Sequence, residues 1–179
     1  FIGSLESMMR YGIKYLYTSD WNPVTDQYGA LTAIYGTIIT SFFSLLIAIP
    51  LGVGTAIFLT ENIINEQMRN IISLMVELLA AIPSVVLGLW AIFIMEPFLR
   101  PFLEYIYIRF SWLPFLSTEP IGPGIAPAIV ILVIMILPII TAISRDSLKQ
   151  VPNKLREAAF GVGATRWDTI FNVVLPAAV

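Results

Sequence analysis

Glu77 is the one carboxylate set inside an apolar stretch of this chain, and Arg145 stands at the end of another. An ionisable group in hydrocarbon needs a partner, and it marks either an ion path or a structural pair. Acid–base work by carboxylates wants two of them together. No second carboxylate stands beside Glu77 in the sequence. The chain has no histidine and no cysteine, so thiolate nucleophiles, disulfides, haem and most transition-metal sites lose their usual ligands. No catalytic or metal-binding set follows from these residue types. For Glu77 a place along an ion path stays open beside pairing at the membrane boundary, and an inside-positive bias accounts for Arg145.

The elements that must position these groups are apolar. Of 179 residues, 58% are hydrophobic and 12% charged, against roughly 25% charged in a soluble domain. The chain reads as an all-α integral membrane protein. Its net charge of −2 argues for neither nucleic acid nor an acidic partner. Gln27–Thr60, Leu78–Met95 and Pro120–Ser144 carry no charge over 34, 18 and 25 residues. A span needs about 20 apolar residues. Three complete spans are predicted, near residues 31–60, 71–95 and 125–144, with a fourth starting near Ile170. Pro50, Gly52 and Gly54 predict a kinked packing face in the first. Glu77 would lie about 9 Å into the second, shallow enough to pair at the boundary.

Residues 96–124 are predicted as an external, interfacial loop. Seven Phe, Tyr or Trp residues fall between Phe98 and Phe115, and such residues gather at the membrane–water boundary. Pro101 predicts a short helix running to about Phe110. The chain opens at Phe1 without a signal-peptide pattern and stops at Val179 inside apolar sequence. It is expected to be a fragment of a longer protein.

Arg145, Lys149, Lys154, Arg156 and Arg166 follow the last complete span. The positive-inside rule places that tail, residues 145–172, in the cytoplasm, with six basic residues inside and four outside. Helix formers run from Asn153 to Phe160, and Gly161 and Gly163 give the freedom to stop that helix. Thr165 is a good N-cap, and Asp168 three residues on imitates a capping box. A second short helix is predicted from about Arg166 to Asn172. Such a stiff helix–turn–helix suits either docking to a partner, since preordered elements lose less entropy on binding, or rest on lipid.

The residues "EAAFGVGATRWDTIFNVVLP" resemble the cytoplasmic signature of ABC-importer permease subunits: E-A-A, three residues, G, nine residues, I, one residue, L-P. Glu157, Ala158, Ala159, Gly163, Leu175 and Pro176 fall on it, and Val173 stands where Ile is usual. "GTIITSFFSLLIAIPLGVGTAIFLTE" and "ELLAAIPSVVLGLWA" look like the phosphate-importer branch, whose relatives for sulfate and molybdate share the coupling signature.

The resemblance implies a type I importer-like helical bundle in the cell membrane, with a cytoplasmic coupling helix. Its implied partners are nucleotide-binding ATPase subunits, a second permease subunit and an external substrate-binding protein. ATP and Mg²⁺ would sit on the ATPase, and this chain carries no GxxxxGK[ST] of its own. Glu157, Ala158, Ala159 and Gly163, with Arg166 and Trp167, are the implied ATPase contacts, and the implied anion path would draw on Glu77, Ser84 and Arg145, with further hydroxyls such as Thr37, Thr40 and Ser41. The competing classes are a membrane-embedded carboxylate enzyme, which lacks a second acid, and a non-transporting assembly subunit, which has no use for a coupling signature.

Overall fold

The computed structural model describes residues 9, 11–61, 64–112, 122 and 124–178. These form helices α1 (Lys14–Tyr17), α2 (Leu31–Thr60), α3 (Glu66–Ala81), α4 (Ser84–Trp90), a π-helical turn (Ala91–Met95), α5 (Glu96–Phe110), α6 (Ile125–Gln150) and α7 (Asn153–Gly161). After them come α8 (Arg166–Thr169), a second π turn (Ile170–Val174) and α9 (Leu175–Ala177). The chain divides into two compact units, Phe1–Phe43 and Ser44–Val179.

In the first unit a turn at Asn22–Gln27 is closed by two backbone hydrogen bonds of 2.8 and 3.0 Å. The returning chain lies against α1, where the Ala30 N–H donates to the Tyr15 carbonyl at 2.8 Å. Only glycine fits at position 29, because a Cβ there would stand 1.9 Å from the Thr18 carbonyl oxygen. The Tyr28 ring meets Tyr11 and Trp21 edge-on, at 5.6 and 5.1 Å between centroids, a geometry favoured by ring quadrupoles. The hydroxyls of Thr37 and Thr40 donate to the carbonyls of Ala33 and Gly36 in their own helix, so those protons are already spent.

The second unit is organised by α2 against α6. Ser44, Ala48, Gly52 and Ala56 recur every fourth residue on α2, and all are buried, as the helical period requires of a single face. The Ser44 hydroxyl donates to the Ile129 carbonyl at 3.2 Å. A Cβ on Gly52 would stand 2.7 Å from the Ile140 Cγ2, whereas one on Gly54 would meet nothing within 4 Å. Of the expected packing glycines, Gly52 makes the close approach and Gly54 does not.

The apolar window read as one span over 71–95 is cut in two. Pro83 disfavours helical φ/ψ in the residue before it, and Ile82 is extended at φ −73°, ψ 125°. α3 ends there, with no residue fully buried, and packs on α6. A continuous helix then runs over Ser84–Phe110, and this is the second helix long and apolar enough to cross a membrane, beside Leu31–Thr60 and Ile125–Gln150. Residues 96–110, read as the first half of an external loop with a short helix from Pro101 to about Phe110, are helical throughout and extend that helix to Phe110. Each π turn ends two residues before a proline, Pro97 or Pro176. A proline ring clashes with the carbonyl four residues back in a regular helix, and the wider turn falls where that conflict arises. Residues 113–121 and 123 of the expected loop lie outside the described residues. The third helix runs on past Ser144 to Gln150.

Candidate functional site

The tail after α6 folds into a compact helix–turn–helix. α7 closes in a Schellman arrangement: the Ala164 N–H donates to Ala159 O and the Gly163 N–H to Phe160 O, both at 3.0 Å. That motif needs a left-handed residue just past the helix, and Gly163 supplies it at φ +87°. Gly161 stays inside α7. Thr165 opens α8 with a full capping box, its Oγ1 accepting from the Asp168 N–H and the Asp168 carboxylate accepting from the Thr165 N–H, each at 3.2 Å.

The Thr165 hydroxyl also donates to that carboxylate. This bond first, and the backbone one second, hold Asp168 below the ordinary aspartate value of 3.8. A lowered carboxylate adds stability above its unfolded pKa and loses it as pH falls through the folded one. Asp168→Ala is therefore expected to weaken amide-exchange protection over residues 166–170 at pH 7. Wild type and variant should converge only in acid below 3.8; equal protection at pH 7 would count against the capping box.

The sequence-named contacts divide by placement. Glu157, Ala158, Gly163, Arg166 and Trp167 are exposed, and Phe160 and Val162 join them. Ala159 is only 7% exposed. It faces the interior and belongs to the packing of α7, not to the presented face. Trp167 stacks on Phe171 at 6.0 Å. Behind this surface, Ile170 and Val174 of the second π turn pack into one cluster with Ala56 and Ile57 of α2, Leu148 of α6 and Val151.

The residue that ties this element down was read from sequence only as one more inside-facing cation. The Arg156 guanidinium pairs with Glu61 at 2.8 Å, just past the end of α2. It also donates to the carbonyls of Val151 at 2.8 Å and Leu148 at 3.2 Å, where α6 ends. The paired side chains are 17% and 10% exposed. One planar fork thus joins the ends of α2 and α6 to the start of α7, a task suited to arginine's fixed donors. Ninety-five positions separate the partners, and no local spacing rule announces such a pair. A groove of about 390 Å³ opens beside it, with Lys149, Phe160, Arg166 and Trp167 in its walls.

Of the three path candidates, two meet. The Arg145 Nη1 lies 3.8 Å from Glu77 Oε1 and donates to the Ser73 hydroxyl at 3.3 Å, joining α6 to α3. Ser84 is exposed at the start of α4 and takes no part in that cluster.

Residues 48–179 match the family model described as "Binding-protein-dependent transport system inner membrane component". The chain is 44% identical over 181 residues to the phosphate transport system permease protein PstC of Mesorhizobium japonicum, covering 98% of this chain and 55% of that one. Against PstC of Pasteurella multocida it is 42% identical, covering 97% and 56%. It is 36% identical to a probable ABC transporter permease protein, YqgH, of Bacillus subtilis, covering 93% and 50%. The chain thus spans about half the length of these relatives. Among solved structures, a chain of the MetNI methionine ABC transporter in inward-facing conformations superposes with a TM-score of 0.55 and 26% identity, over 84% of this chain and 61% of that one. The matched region contains the capped helix–turn–helix and the helices that hold it, and the chain belongs to the family of binding-protein-dependent transport system inner membrane components.

Proposed function

We propose that this chain is part of the transmembrane permease subunit of an ATP-driven importer for inorganic phosphate. Its exposed helix–turn–helix takes the nucleotide-binding ATPase. A second permease subunit completes the path, an external binding protein delivers the anion, and ATP with Mg²⁺ binds on the ATPase. The observation that carries this reading is the rigid, exposed surface of Glu157, Ala158, Phe160, Arg166 and Trp167 around the Gly163 turn, backed by the cluster that joins it to α2 and α6. A loop that only connected two spans would need neither the Schellman closure nor the capping box. The phosphate assignment is supported by the PstC relatives.

The test is substrate uptake into vesicles holding the full-length subunit, its partner permease, its ATPase and its binding protein. Glu157→Ala removes an exposed carboxylate, and Gly163→Val forces a β-branched residue to positive φ at a cost of about 1–3 kcal/mol. ATP-dependent phosphate uptake is expected to fall in both, with less ATPase copurified. Unchanged uptake and capture in both variants would remove the coupling assignment. Intact capture with uptake of sulfate and not phosphate would remove the substrate alone.

A further inference from the structure

A second pocket, of about 340 Å³, lies at the ends of α2, α3 and α6, lined by Leu59, Thr60, Arg69, Asn70, Ser73, Arg145 and Lys149. Its volume is in the range of small-molecule sites. Three cations meet in this lining, and among the described residues no carboxylate does. The inside-positive bias accounts for basic residues on one membrane face. It does not account for their convergence on one concavity together with an amide and a hydroxyl.

The arrangement follows from helical spacing. Arg69 and Ser73 lie one turn apart on α3, and Arg145 and Lys149 one turn apart on α6, so each pair shares a face. α3 packs on α6, and the two faces meet across the pocket. The Arg145 guanidinium is steadied by Ser73 at 3.3 Å and by Glu77 at 3.8 Å, and Glu77 stays outside with its side chain 68% exposed. Because the Ser73 oxygen accepts from Arg145, its own proton remains to donate. Lys149 enters no ion pair among the described residues, and its three N–H donors are available. The Thr60 hydroxyl is spent on the Ala56 carbonyl and contributes shape alone. Donors and positive charge in one pocket select an anion with several acceptor oxygens.

We infer that this pocket holds a phosphate oxyanion, supplied either by free inorganic phosphate or by the headgroup of an anionic lipid. The inference leans on the proposed importer only for the wider assembly in which the site works, since the ligand chemistry follows from the lining.

The experiment uses the complete transporter, full-length permease pair with ATPase, in nanodiscs. One set is made of phosphatidylcholine alone and receives radiolabelled inorganic phosphate under equilibrium dialysis. The other includes phosphatidylglycerol, whose retention is counted by native mass spectrometry. Lys149→Gln is expected to lower retention of one of the two ligands about tenfold, the worth of one charge-assisted contact. Arg145→Gln should do the same, and Lys149→Arg should restore it. Because Lys149 enters no ion pair among the described residues, its variants should assemble normally, and the melting temperature of the purified complex verifies that they do.

Loss confined to the phosphatidylcholine set identifies the ligand as the free anion; loss confined to the phosphatidylglycerol set identifies the lipid. Equal retention of both ligands by wild type and Lys149→Gln would overturn the site, as would failure of Lys149→Arg to restore binding. Uptake of sulfate in place of phosphate, with the Lys149 effect intact, would cost the importer its substrate and leave the pocket standing.

Discussion

Replacing Arg156 with methionine is expected to loosen α7 and α8 from the helices they rest on, while leaving the exposed residues proposed for docking chemically unchanged. The substitution deletes the ion pair to Glu61 and two bonds to carbonyls at the end of α6. It strands a carboxylate that is 10% exposed. Breaking a buried pair from one side costs about 3–5 kcal/mol. At the lower figure, amide-exchange protection over residues 153–175 should drop about a hundredfold. The double variant Arg156→Met with Glu61→Gln should regain part of that loss, because the uncompensated charge is gone. ATPase capture should follow the same order. Protection unaltered in the single variant would mean that the apolar cluster alone holds the element.

The second large effect is expected at Gly52. Any side chain there drives a Cβ to 2.7 Å from the Ile140 Cγ2 and 3.0 Å from its Cβ. Those atoms are branched and close to the α6 backbone, so they yield poorly. Gly52→Val should cost about 1–3 kcal/mol through overpacking, read as a lower melting temperature of the purified complex. Pairing it with Ile140→Ala removes the nearest atom and should recover part of the loss. Gly54→Ala, with open space around its Cβ, serves as the contrast and should melt close to wild type. If Gly52→Ala and Gly54→Ala melt together, the α2–α6 approach is not what limits stability.

How much of this was legible from residues alone depended on the range of the cause. The turn at Gly163 and the box at Thr165 and Asp168 are local, so a few neighbouring side chains specify them, and both were readable. The first apolar helix was equally plain, since thirty residues without a charge leave little choice. The break at Ile82 had a visible cause in Pro83, yet hydrophobicity carried the reading through it to Met95. Beyond Met95 the error ran the other way. Aromatic and charged residues suggested a loop holding only a short helix from Pro101, whereas the π turn lets the helix continue through Pro97 and on to Phe110. The Glu61–Arg156 pair and the meeting of Arg69, Arg145 and Lys149 were out of reach, because both depend on helices brought together from distant parts of the chain. Ala159 fits the family signature at its own position, but only packing shows that it points inward.

The fork of Arg156 also has a mechanical meaning. It grips α6 at one extremity, and α6 contains 26 residues, so at 1.5 Å per residue it is a rod of about 39 Å. A rod held at one end amplifies. Tilting it by about 5° about that grip would sweep its opposite extremity through about 3 Å. A displacement of α7 would then be passed to α6 through this grip and not taken up in slack chain, with Pro138 inside α6 as the place where the rod yields first.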